Sequence, residues 1–369
     1  MGFLASIRRF DFSRFRRPLV VALLLAALWF TWRLVANLDW RDLVHRAATA
    51  NWALLGLAFA GLVGQYVFWD RRLAIATERA VEVRPRFGLG FFVLLASAAF
   101  NLITPSARVV GGPLRARYFA RAIGRPFAPL YGVTLYDQLA HYVVMTTWTG
   151  LALVSAAWML GRPWLVVGTL VAFAVLAFAA FGLGSRAGNG SLAGFFARRA
   201  ERAGERGGRG ERLYGQGREA AQTLETLVGE RRLRLPVAAL GSGYFLISVL
   251  AQWLIFAALG RPENPLVVMA VVALGASAGM LTGTPGGVGT TEAAMVALYG
   301  ALDVGPGEAA AATLLFRGLH YVSVLALGVP ALVILELRYG ARFGTRLAAP
   351  EAPNAPDTPA VETSMEPAA

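Results

Sequence analysis

Three groups of polar residues interrupt stretches that are otherwise apolar. The first reads Asn101-Leu-Ile-Thr104-Pro105-Ser-Ala-Arg108-Val-Val-Gly111-Gly112-Pro113-Leu-Arg115. Proline removes a backbone donor and paired glycines permit tight or left-handed turns, so this segment breaks a helix. Its backbone N–H groups, followed by a new helix N-terminus, offer a cradle for an anion. A phosphate there could meet Arg108 and Arg115 as well as Thr104. The second group is Thr282-Gly283-Thr284-Pro285-Gly286-Gly287-Val288-Gly289-Thr290-Thr291-Glu292. It lacks the Lys-Ser/Thr ending of a P-loop, which excludes nucleotide hydrolysis through that motif. Glu292 opens the next helix, where it either caps the N-terminus or pairs with a basic group. The third group is Asp137 and Arg317, each inside a long apolar run, with His141 and His320 about one turn further on.

The elements that carry these residues are set by composition. Of 369 residues, 56% are hydrophobic and 15% charged, whereas a soluble domain averages about a quarter charged. Apolar runs recur at 18–38, 52–69, 87–103, 128–160, 163–184, 235–259, 265–283 and 309–337. Runs of roughly 20 residues cross a hydrocarbon core about 30 Å thick. The fold class is therefore an all-α integral membrane protein. The net charge is +13, from 35 basic residues that are all arginine. They cluster in loops beside apolar runs, the positive-inside pattern, so anionic lipid is the expected neighbour and nucleic acid is not. Without cysteine there is no disulfide, thiol nucleophile or Cys-ligated metal, and three scattered histidines give no metal-ligand spacing. No metal or cofactor is expected. The arginine-rich start, Arg8-Arg9 to Arg16-Arg17, precedes an uncleaved first helix rather than a cleaved signal.

Eight simple crossings conflict with the charges. The stretches 71–87, 115–125 and 186–234 are all basic and belong on one side. The conflict disappears if 87–121 and 265–302 are re-entrant hairpins, broken at Asn101–Pro105 and Thr284–Gly289. The expectation is six full transmembrane helices plus two re-entrant broken-helix hairpins. Both termini then lie in the cytoplasm, and the membrane is the cytoplasmic (inner) one. Arg115 has a plain alternative role here, reaching to the headgroup layer.

The layout repeats. Thr104-Pro105 recurs as Thr284-Pro285, Asp137 and Arg317 each follow their proline by 32 residues, and His141-Tyr142 is echoed by His320-Tyr321. The halves have opposite expected orientation, an inverted repeat of the kind common in transporters. The expected divisions are a cytoplasmic N-terminus at 1–17, a first half-repeat at 18–160, a second at 161–340, and a disordered tail at 341–369. Within the second, 186–234 is expected to be a solvated basic loop with a short amphipathic helix at 212–228. One charge alone in the bilayer centre costs about 2.5–3.5 kcal/mol, so Asp137 and Arg317 are expected to pair.

At the two breaks the sequence resembles the transmembrane, flippase-like region of lysylphosphatidylglycerol synthases and its stand-alone relatives. The first-half pattern reads Thr104-Pro105 through Gly111-Gly112-Pro113-Leu114-Arg115-Ala116, and the second reads Pro285-Gly286-Gly287-Val288-Gly289-Thr290-Thr291-Glu292, with Arg317 matching the later helix arginine. The resemblance covers roughly residues 15–340. Pro113 stands where relatives often carry an acidic residue. The soluble aminoacyl-transferase domain of the synthases is not expected here, so neither is synthesis of a lysyl lipid.

The resemblance implies movement or handling of a membrane lipid with a polar head; the arginines and backbone N–H groups of the breaks point to an anionic or phosphate-bearing one, so the expectation is a flippase-like transporter and not an enzyme. Thr104, Arg108, Gly111, Gly112 and Arg115 would form one half-site. Thr284, Pro285, Gly286, Gly287, Gly289, Glu292 and Arg317 would form the other, with Asp137 alternately bound to and released from Arg317. A membrane-embedded transferase using Asp137, Glu292 and the histidines as acid–base groups is one alternative. A scaffold subunit with lipid-biosynthesis enzymes as partners is another.

Overall fold

A computed structural model of the chain describes residues 40–103, 111–159, 161, 194, 209–282 and 285–339. Among these the regular elements are helical. They are α1 (Trp40–Thr49), α2 (Trp52–Val81), α3 (Phe87–Ile103), α4 (Gly111–Ile123), α5 (Phe127–Met159), α6 (Arg209–Gly229), α7 (Arg231–Ala258), α8 (Pro265–Thr282), α9 (Thr290–Ala301) and α10 (Pro306–Tyr339). A single 3-10 turn, Pro285–Gly287, separates α8 from α9. The expected spans at 18–38 and 163–184 lie outside the described residues, as do the expected cytoplasmic N-terminus and tail.

Among the described residues four helices, α2, α5, α7 and α10, are long and apolar enough to cross a membrane, and α3 and α8 are shorter apolar helices. The long–short–short–long order occurs twice. Moving the starts of α2, α3, α4 and α5 along by 180 residues gives 232, 267, 291 and 307, against observed starts at 231, 265, 290 and 306. In this register His141 corresponds to Tyr321. The His-Tyr echo is therefore one residue out of step, whereas Thr104-Pro105 with Thr284-Pro285 and Asp137 with Arg317 keep the 180-residue offset.

The first long helices of the two halves, α2 and α7, run antiparallel along their whole length. Asn51, which caps α2 by accepting from the N–H groups of Ala53 and Leu54, donates its own N–H to the carbonyl of Ala258 at 2.8 Å. Midway, Gly61 faces Ile247 and Ala251, and the Ser248 hydroxyl donates to Gln65. At the far end Arg79 meets Glu230 at 2.8 Å, and that hydrogen bond holds the Glu230 carboxyl below its ordinary range.

The halves are interlaced. The hairpin arm α3 packs on α10 of the other half, and α8 packs on α5. Gly328 permits the first contact, since a Cβ there would overlap the Leu95 carbonyl and Ala99. A 2.9 Å hydrogen bond between Thr149 and Ser277 ties the second. Each hairpin arm thus buries its apolar surface against the opposite half, which fixes the two breaks relative to one another.

Helix α6 spans the short amphipathic helix expected at 212–228. It docks on α5, burying Ala220, Ala221 and Leu227. Gly132 on α5 makes room for it: a Cβ at 132 would lie 2.5 Å from the Ala220 carbonyl and 2.7 Å from Thr223 Cβ.

Candidate functional site

The first break closes on itself through Asn101. Its side-chain oxygen accepts the N–H of Gly111, the first residue of α4, at 2.8 Å. A Cβ on Gly111 would overlap that amide, so the glycine is needed for close approach. Gly112 is less constrained, because a Cβ there would meet Thr134 and Gln138 only at ordinary contact distance. Thr104 and Arg108 lie outside the described residues.

One turn into α4, Arg115 turns inward and is 2% exposed. Its role is therefore not that of a headgroup-reaching side chain. It donates to Asp137 Oδ2 at 3.0 Å and lies over the Trp69 ring, 5.1 Å from its centroid. Asp137 also accepts from Arg72 Nε through Oδ1 at 2.8 Å and from Trp69 Nε1 through Oδ2 at 2.8 Å. The carboxylate is the hub of three helices: α2 supplies Trp69 and Arg72, α4 supplies Arg115, and α5 supplies Asp137 itself.

Two buried guanidiniums on one carboxylate leave a surplus of one positive charge. The Nε of Arg115 is buried and finds no hydrogen-bond partner among the described residues. Beside the cluster is a pocket lined by Trp69, Arg72, Asn101, Arg115, Asp137, Gln138, His141, Tyr142 and Tyr244. It encloses about 440 Å³ between atoms, its open mouth included.

The second break is built differently. Gly286, Gly287 and Gly289 have φ of 58°, 71° and 84°, a region that penalises any residue with a Cβ. Pro285 opens the turn, and Thr284 lies outside the described residues. Glu292 reaches back to accept the N–H of Gly289 at 2.7 Å. Its own carboxylate thus fills the anion position at the N-terminus of α9, leaving that end of the helix already capped.

Arg317 on α10 donates to Glu292 at 2.7 Å and to the Gly286 carbonyl at 2.7 Å. Tyr321 completes the cluster, accepting from Arg317 and donating to Glu292 at 2.6 Å. This cluster is charge-balanced. The two breaks touch, because a Cβ on Gly286 would overlap Leu102 at the end of α3.

The expected Asp137–Arg317 pair does not form. Asp137 is saturated by Arg72, Arg115 and Trp69, while Arg317 belongs to Glu292 and Tyr321. The physical reason is proximity within each half: each charged helix residue finds its counter-ion on an element of its own repeat. His141 lines the pocket and packs edge-on to Tyr244. His320 is tilted against Tyr321, and its carbonyl accepts from Ser323.

Sequence reasoning missed Trp69 and Arg72, which fell at the end of an apolar run and in a basic loop. The signal was a helix with no breaker before Pro85, in which Gln65, Trp69 and Arg72 recur at a spacing of four and three, one face of one helix.

The sequence profile of the lysylphosphatidylglycerol synthase transmembrane region matches residues 19–328. A UPF0104 membrane protein of Methanothermobacter thermautotrophicus is 26% identical over 272 residues, 69% of this chain and 78% of that one. A UPF0104 membrane protein of Methanocaldococcus jannaschii is 33% identical over 92 residues, 25% of this chain and 27% of that one. With its long apolar helices, the chain is a multi-pass membrane protein. It belongs to the lysylphosphatidylglycerol synthase transmembrane-region family.

Proposed function

We propose that this protein transports a lipid with an anionic, phosphate-bearing head across the cytoplasmic membrane. The observation that carries the reading is the surplus buried cation of the first half: Arg72 and Arg115 share Asp137, and Arg115 Nε is left without a partner beside a pocket. A buried cation with unused donor capacity favours an anion, and a guanidinium suits phosphate geometry. Asn101 and Gln138 add amide donors at the same pocket. The family's name, which joins a transmembrane region to an enzyme of lipid synthesis, supports a lipid as the carrier of that anion.

In this reading the first break binds the head and the second, already internally neutralised, acts as its structural counterpart. The lipid tails stay in the bilayer and no bond of the lipid is broken. The architecture we infer is six full spans with two re-entrant hairpins, α3–α4 and α8–α9, entering from opposite sides, and both termini in the cytoplasm. The antiparallel α2–α7 pair and the touching breaks support that inversion.

The test is translocation in proteoliposomes with labelled phosphatidylglycerol and labelled phosphatidylcholine. The wild type should move the anionic lipid faster. Arg115→Gln, which keeps Asp137 paired with Arg72, should slow phosphatidylglycerol tenfold or more. Equal rates for both lipids, or an unaffected Arg115→Gln variant that folds normally, would remove the basis of the proposal.

A further inference from the structure

We propose that Asp70 is a proton-binding site coupled to occupation of the anion pocket, an inference that rests on the reading above. Asp70 sits on α2 between Trp69 and Arg72, the two α2 donors to Asp137. Its side chain points to a different helix. It lies against Gly90 in the first turns of α3, where a Cβ would overlap Oδ1. The residue is 3% exposed, and Oδ2 is buried with no hydrogen-bond partner among the described residues. The facing helix α3 carries no charged side chain.

The cations that act on Asp70 are Arg71 and Arg84, and both have other engagements. Arg71 lies over the Phe87 ring at 5.2 Å, and Arg84 pairs with Glu78 at 3.6 Å. An ionised carboxylate in this place leaves one oxygen unsatisfied, and protonation removes that deficit. The positive end of the α3 dipole favours the ionised form. Two forms of Asp70 are therefore poised against each other at the contact that seats α3, and α3 carries Asn101 and Leu102 at the break.

The sign of the coupling follows from charge. An anion entering the pocket adds negative potential near Asp70 and raises its proton affinity, so anion binding and proton binding reinforce one another. Proton uptake should accompany anion binding, and anion affinity should fall as pH rises through the titration of Asp70. One coupled proton gives a limit of about tenfold per pH unit.

The experiment titrates the protein, in phosphatidylcholine nanodiscs, with short-chain phosphatidylglycerol, a phosphodiester that does not titrate near neutrality. Calorimetry in two buffers of different ionisation enthalpy counts the protons. The wild type should take up a proton with each bound lipid over the titrating range. Asp70→Asn should bind without uptake and without pH dependence. Asp70→Ser, smaller and also uncharged, provides the same reading if the amide cannot be seated beside Gly90. His141→Gln, which removes the imidazole lining the pocket, should retain the uptake per bound lipid, whatever it does to affinity. Unchanged uptake in the folded Asp70 variants, or its loss in His141→Gln alone, overturns the inference while leaving the anion site standing. Absence of any phosphatidylglycerol binding by the wild type overturns both.

Discussion

Replacing Asp137 by Asn strips the shared counter-ion from Arg72 and Arg115 while leaving the side chain's shape unchanged. Both guanidiniums are buried, so the variant holds two adjacent cations around a neutral amide. Removing one partner of a buried ion pair costs about 3–5 kcal/mol, and Asp137→Asn should lie in that range. Arg115→Gln leaves Asp137 with Arg72 at 2.8 Å and Trp69 at 2.8 Å, so its loss should be smaller, about 1–3 kcal/mol. The double variant removes the repulsion as well as the attraction. It should be no less stable than Asp137→Asn alone, a coupling of about 1–3 kcal/mol. Tyr321→Phe provides the control: it deletes one hydroxyl from the Arg317–Glu292 cluster, at about 1 kcal/mol. That loss should add to Asp137→Asn within about 0.5 kcal/mol, since the clusters share no partner. The assay is denaturant-driven unfolding in a defined detergent. Additivity between positions 137 and 115, or strong coupling between 137 and 321, would refute the two-cluster assignment.

Other outcomes follow from single contacts. Gly286→Ala places a Cβ at φ 58° and against Leu102, and should cost about 1–3 kcal/mol of stability, read by the same unfolding assay. Gly132→Val should undock α6, whose Ala220 carbonyl occupies the space; faster amide exchange confined to 209–229 would show it, and unchanged exchange would refute the packing. Gly90→Ala should displace Asp70 and shift the pH dependence of lipid binding, measured by the same calorimetric titration. A single cysteine at Ala120 in this cysteine-free chain should label from the cytoplasmic side only; periplasmic labelling would contradict the re-entrant hairpin.

The helical, membrane-embedded class was legible because it rests on apolar run length, and the two breaks were legible because Pro and clustered Gly exclude a continuous helix. The 180-residue repeat was also readable, since Thr104-Pro105 recurs as Thr284-Pro285 in the sequence, and the helix starts of the two halves keep nearly the same offset. The pairing of charges was not. Asp137 and Arg317 occupy equivalent positions, and equivalence says nothing about contact; each finds its counter-ion on helices of its own half, α2 and α4 for Asp137 and α9 for Arg317. Arg72 was hidden because helix α2 continues to Val81, well past the end of its apolar run. Glu292 was readable as a helix-capping residue, and it serves as both cap and counter-ion. Asp70 carried no sequence signal, because an acidic residue beside Arg71 and Arg72 reads as part of a solvated charge cluster.

The central claim is that the Arg72–Arg115–Asp137 cluster holds an anionic lipid head. Native mass spectrometry of the protein released from its own membrane tests it most directly. The wild type and Tyr321→Phe should retain a phosphate-bearing anionic lipid, and Arg115→Gln should lose it while remaining folded. Equal retention by Arg115→Gln, or the retention of neutral lipids alone by the wild type, would contradict the account.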